Sequence, residues 1–120
     1  MEEALIKMLT QADVFDAFIR RQHAFYMHIL TRTIPAAQGY CDIVWLGDDC
    51  AGQKSLLMRP DFWRKHIKPY LAEQAAFIHQ HGMDILYHSC GAVRPILPDL
   101  IEIGVNALLV FQTTAQGMDP

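Results

Sequence analysis

An α/β domain of three parallel strands alternating with helices is the fold class that this sequence predicts. Three short apolar runs with β-branched or aromatic residues, at 42–46, 84–88 and 105–111, each follow a stretch whose apolar residues recur every three or four positions. The predicted order is therefore αβαβαβ. Strands separated by helices are joined by crossovers, crossovers are right-handed, and the resulting sheet is parallel and covered by helices. At 120 residues the chain forms one domain at most.

The first third reads as helix. Leu5, Met8 and Leu9, then Val14, Phe15, Phe18, Ile19, Gln22, Phe25, Tyr26 and Ile29, follow helical spacing. Asp13 is the expected N-cap of the longer segment, and Pro35 and Gly39 mark its end. Residues 42–46 (DIVWL) read as a buried strand that runs into Gly-Asp-Asp and a polar loop. Residues 60–81 return to helical spacing, with Phe62, Ile67, Leu71, Ala75 and Ile78 near one face and Gly82 as the stop. Pro69 interrupts this segment. Proline lacks a backbone donor and clashes with the preceding turn, so either a kink or a new helix starting near Lys68 is expected. Residues 84–88 form the second strand, 93–103 a short helix entered through Pro95 and Pro98, and 105–111 the third strand. The sequence has no internal repeat and no low-complexity tract.

With 52% hydrophobic and 19% charged residues, the composition is that of a globular protein. A net charge of −3 and the lack of a Lys/Arg cluster argue against a nucleic-acid partner. No run approaches the roughly 20 apolar residues of a membrane span, and the Met-Glu-Glu start is acidic where a secretory signal is basic. The expectation is a cytoplasmic protein with no membrane association. Its three cysteines suit thiol or metal chemistry better than a disulfide framework.

In parallel α/β sheets, chemistry collects at the carboxyl ends of the strands. Residues 47–52, 88–91 and 112–114 follow strands and share that rim, while Cys41, His79, His81 and Gly104 lie at the opposite end. His88-Ser89-Cys90 is the most informative segment of the rim. An imidazole and a thiolate two residues apart at a strand end can face one metal ion, so His88 and Cys90 are candidate ligands. A catalytic zinc normally takes three protein ligands. Cys41 is excluded as the third by five residues of strand, about 16 Å at about 3.3 Å per residue. Cys50, or a ligand from another chain, are the alternatives, although Cys50 reads more readily as an inert thiol.

Asp48 and Asp49 either orient His88 and act on substrate or simply close an Asx-type turn. Gln112 either contacts substrate at the rim or is a solvated strand end. Lys54, Arg59 and Arg94 are candidates to meet a substrate carboxylate, sulfonate or phosphate, against the plainer reading of solvated cations. His79 and His81 sit at a helix end, where imidazoles are favoured by the dipole and by free carbonyls.

Several of these segments resemble the uroporphyrinogen decarboxylase superfamily. They are Tyr87-His88-Ser89-Cys90-Gly91, Ile96-Leu97-Pro98, the stretch 100–107 (LIEIGVNA), Phe111-Gln112, Gly47-Asp48-Asp49 and residues 57–63 (LMRPDFW), with Pro69-Tyr70 after them. The His-x-Cys-Gly element is most similar to the corrinoid-dependent methyltransferase branch, of the methylcobamide:coenzyme M type. The resemblance implies a (β/α)8 TIM barrel of roughly 300 residues or more, of which this chain is a partial domain over 1–120. It also implies a zinc ion held by His88, Cys90 and a cysteine well downstream of this sequence. The implied reaction is transfer of a methyl group from a methylcorrinoid, carried by a corrinoid protein, to a small-molecule thiol. The alternatives are a uroporphyrinogen decarboxylase-type lyase, or a non-catalytic truncated or split subunit that assembles with other chains. A piece of barrel exposes sheet edges and an apolar face, so a homo-oligomer is expected, formed through the open sheet or the first helix.

Overall fold

The protein is described by a computed structural model covering residues 6, 7 and 10–119. The expected helical positions Leu5, Met8 and Leu9 lie outside the described residues. The element order is α1 (Ala12–Ala37), β1 (Ile43–Gly47), α2 (Pro60–His66), α3 (Lys68–Gln80), β2 (Asp84–His88), a 3-10 turn (Arg94–Ile96), α4 (Leu97–Glu102) and β3 (Ala107–Leu109). The three strands form one parallel sheet in the order β1-β2-β3, as the alternation of strand and helix predicts.

Pro69 settles the break between α2 and α3. A new helix starts at Lys68 with the proline in its first turn, where a missing backbone donor costs nothing. The apolar face read from the sequence then buries Leu71, Ala75 and Ile78. They meet Ile85 and Tyr87, the alternate residues of β2 that point to the same side of the sheet. Trp63 from α2, Leu30 and Ile34 from α1, and Ile96 and Leu100 complete this core.

Four expectations are corrected. Gln11, not Asp13, holds the cap position of α1, and Asp13 lies in the first turn, where a carboxylate suits the helix dipole. Pro35 lies within α1 rather than ending it; the helix runs on to Ala37, and Gly39 follows in the left-handed region at φ +81°. The third strand pairs over three residues instead of seven, since its register brings it alongside only Leu86–His88 of β2. The helix expected over 93–103 is divided into a 3-10 turn and α4.

The fifth correction matters most for function: β1, expected as a buried strand, is exposed on one side, because helices cover one face of the sheet and leave open the apolar face that a piece of barrel is expected to expose. Along β1 the residues Ile43 and Trp45 are 60% and 66% exposed, and Leu109 of β3 is 42% exposed. Strand alternation places these side chains on the face opposite Ile85 and Tyr87, together with His88. Helix α1 also keeps an apolar stripe exposed, formed by Val14, Phe18, Phe25 and Ile29. Its inward side meets α2 and α3 through Phe15 against Phe62, with ring centroids 5.3 Å apart. Polar contacts join the same helices: Asp16 with His66, and His23 with Glu73 at 2.9 Å. No helix among the described residues is long and apolar enough to cross a membrane.

Candidate functional site

The site forms where β1 and β2 end together. In the register Gly47 lies beside His88, and the next backbone N–H, from Asp48, donates to the His88 carbonyl at 3.0 Å. A Cβ on residue 47 would come within 3.2 Å of the His88 Cβ, so glycine there leaves the imidazole its room. The edge of Trp45 meets the His88 ring at a centroid distance of 6.1 Å. Trp45, Gly47, Asp48, Asp49 and His88 line an open concavity of about 500 Å³ on the uncovered face of the sheet.

The structure brings Asp49, His88 and Cys90 together, with one donor atom from each within 4.8 Å of the others. Nε2 of His88 lies 3.5 Å from Oδ1 of Asp49 and 3.7 Å from Sγ of Cys90. The Cys90 backbone N–H donates to Oδ1 of Asp49 at 2.9 Å, which fixes the carboxylate over the strand end. Zinc bonds of about 2.0–2.1 Å to N or O and about 2.3 Å to S, arranged tetrahedrally, separate neighbouring donors by roughly 3.3–3.6 Å. The His88 distances are close to those edges, and the N, S and O donors suit zinc. The Asp49–Cys90 edge is bounded at 4.8 Å, so these are donor types that could hold such an ion once that edge closes. Nδ1 of His88 is buried and has no hydrogen-bond partner among the described residues.

The sequence offers Asp49 as a carboxylate to orient His88, and the structure adds its place as a candidate third donor. The signal was the Gly-Asp-Asp step after β1, but only the strand register shows that this step ends beside His88.

Cys50 takes a different place. It is buried, with Sγ 3.5 Å from the Tyr87 hydroxyl, and its N–H donates to Ser89 Oγ at 3.1 Å. Burial first, then the charge of Asp48, pushes its thiol up to about 11, so it stays protonated at neutral pH. It is not in the donor cluster, which leaves the inert reading. The Asp48 carboxyl is raised above the usual range by desolvation and by the neighbouring Asp49 charge, against an opposing hydrogen bond from Cys50. Cys41 precedes β1 at the other end of the sheet. His79 and His81 hydrogen-bond the carbonyls of Gly104 and Phe77, at 2.7 and 2.9 Å.

Gln112 lies on the same rim, where its side chain ties loops together. Its Oε1 accepts from the Gly91 N–H at 2.9 Å, and its Nε2 donates to Gln53 at 2.8 Å. Gly91 is at φ +84°, and a Cβ there would stand 2.4 Å from the Gly52 carbonyl oxygen, so this crossing of loops requires glycine.

The family model for uroporphyrinogen decarboxylase (URO-D) matches residues 1–116. The chain belongs to the uroporphyrinogen decarboxylase family. Neither a curated protein nor a solved structure matches it. The URO-D family is a TIM barrel, and the three parallel strands here are a fragment of that architecture. In such barrels the helices lie outside, so the uncovered face carrying Trp45 and His88 corresponds to the barrel interior. Asp49, His88 and Cys90 stand at the carboxyl ends of the strands, the rim on which barrel enzymes place their chemistry.

Proposed function

We propose that this URO-D family chain carries part of the active site of a zinc-dependent methyltransferase, in which a small-molecule thiol accepts a methyl group from a methylcorrinoid held by a partner protein. The observation that carries this reading is the convergence of Asp49, His88 and Cys90 at one strand end. His88 and Cys90 would hold the ion, with Asp49 as a further donor in place of or beside the downstream cysteine that the resemblance implies, and Asp49 and His88 line the open concavity where a thiol would enter. Zinc bound there would lower the pKa of a coordinated thiol, as it does for water.

The chain's own groups do the rest. Asp49 is held in place by the Cys90 N–H, and the Trp45 edge limits where the His88 ring can turn. Asp48 lines the same concavity, and its raised pKa suits a carboxyl that accepts the proton a thiol releases. Gln112 braces the Gly91 turn, and through it the position of Cys90, rather than offering a free amide to substrate.

Elemental analysis of the purified chain tests the proposal. About one zinc per chain is expected, falling strongly in His88→Ala and Cys90→Ser and partly in Asp49→Asn. Stoichiometric zinc in His88→Ala would refute this donor set. A decarboxylase reading is the alternative within the same family, and it predicts rim binding of a porphyrinogen acid with no metal. The uncovered sheet face keeps a third reading open, that of a non-catalytic subunit completed by other chains.

A further inference from the structure

A second concavity lies on the same rim, and it has different chemistry. It measures about 740 Å³, within the usual range for small-molecule sites. The loops following all three strands build its wall: residues 54–60 after β1, Ala92, Arg94 and Pro95 after β2, and Gln116 and Gly117 after β3. Leu56, Leu57, Met58, Pro60, Ala92 and Pro95 make that wall largely apolar. Lys54, Arg59 and Arg94 supply its charges, and among the described residues no acidic one lines it.

A concentration of three cations without a carboxylate runs against the chain's net charge of −3. Lys54 and Arg59 have no ion pair or side-chain hydrogen bond among the described residues. Among the described residues Arg94 donates to a backbone carbonyl, that of Asp119, at 2.8 Å. Arg64 and Lys68, by contrast, both pair with Asp99. Unneutralised cations around an apolar concavity focus a positive potential into it. The wall is also preformed. Ala92 N–H donates to Gly52 at 2.9 Å, Gln116 N–H to Gln53 at 2.9 Å, and Leu57 N–H to Cys50 at 2.9 Å.

We propose that this cavity binds an organic anion with an apolar body, its carboxylate, sulfonate or phosphate held by Lys54, Arg59 and Arg94. The site does not depend on metal at Asp49, His88 and Cys90, so the two assignments stand or fall separately. A solvated cation needs no concave apolar wall, and an apolar ligand needs no cations; an amphiphilic anion uses both.

Titration of the full chain with naphthalene-2-sulfonate, followed by amide NMR in the presence of a chelator, tests the site, with neutral naphthalene-2-sulfonamide as the control. Saturable shifts of Leu57, Met58, Ala92 and Gln116 are expected with the sulfonate, and markedly weaker binding with the sulfonamide. Lys54→Gln and Arg59→Gln should each weaken the sulfonate roughly three- to fivefold, the range of one partly exposed ion pair, with amide spectra otherwise unchanged. Equal binding of the two compounds would overturn the proposal. So would shifts confined to Trp45 and Leu109 on the open sheet face, no saturable binding, or affinities unaltered by both substitutions.

Discussion

Replacing Gly91 by alanine should weaken the rim far more than the same change at Gly117. Both glycines lie in the left-handed region, at φ +84° and +72°, so alanine is strained at either position by about 1–2 kcal/mol. The two sites differ in space. A Cβ at residue 117 meets nothing within 4 Å, whereas at residue 91 it lies 2.4 Å from the Gly52 oxygen and 2.8 Å from the Ala51 oxygen. Backbone oxygens cannot swing aside like the end of a side chain, so the loops must part. Overpacking of this kind adds about 1–3 kcal/mol. Gly91→Ala should then lose roughly 2–5 kcal/mol against about 1–2 for Gly117→Ala, a large part of the about 5–15 kcal/mol available to a domain. Urea unfolding followed by circular dichroism, with equal m-values, measures the difference. The steric argument fails if the two variants agree within about 0.5 kcal/mol, a spread typical of unremarkable substitutions.

Cys50 should resist alkylation near pH 8 in the folded protein, because burial holds its thiol near 11, while exposed Cys41 reacts; peptide mass spectrometry reads both, and equal labelling would remove the buried-thiol assignment. Asp99 is held below the usual carboxylate range, first by its hydrogen bond from Arg64 and then by Lys68. A depressed folded pKa contributes stability above the unfolded value of about 3.9 and loses it as pH falls through the folded one. Asp99→Asn should therefore be less stable than wild type at neutral pH, with the gap closing below about pH 4; urea midpoints across that range would contradict this by staying equally far apart. Exposed Ile43 and Trp45 on an open sheet, with the apolar stripe of α1, predict a homo-oligomer, and light scattering that finds a monodisperse monomer at high concentration would count against it.

Much of the fold was legible because local rules and tertiary packing agree there. The second strand has the bounds its pattern predicts, since β2 is the central strand and pairs on both sides. Pro69 likewise marked the start of α3, because its fixed φ and missing donor are tolerated only in a first turn. Periodicity failed where it was ambiguous. Helix α1 has apolar residues on more than one side, and the pattern does not say which side finds a neighbour: Leu30 and Ile34 are buried, while Phe18 and Phe25 stay in solvent. The length of β3 depended on how much of β2 lay alongside it, which is a property of the sheet and not of the segment.

The sequence by itself determined the α/β alternation, the parallel sheet and the rim on which His88 and Cys90 stand, because side-chain period, turn residues and crossover handedness are encoded locally. Tertiary structure alone decided that Ile43 and Trp45 lie on the uncovered face, that Cys50 turns toward Tyr87, and that Asp49 closes on His88. It also gathered Lys54, Arg59 and Arg94 around one cavity. Those are distances between residues about 40 positions apart in the chain, fixed by strand register and loop crossing. No local pattern carries that information, since a donor's chemistry is written in its residue type and its partner only in the packing.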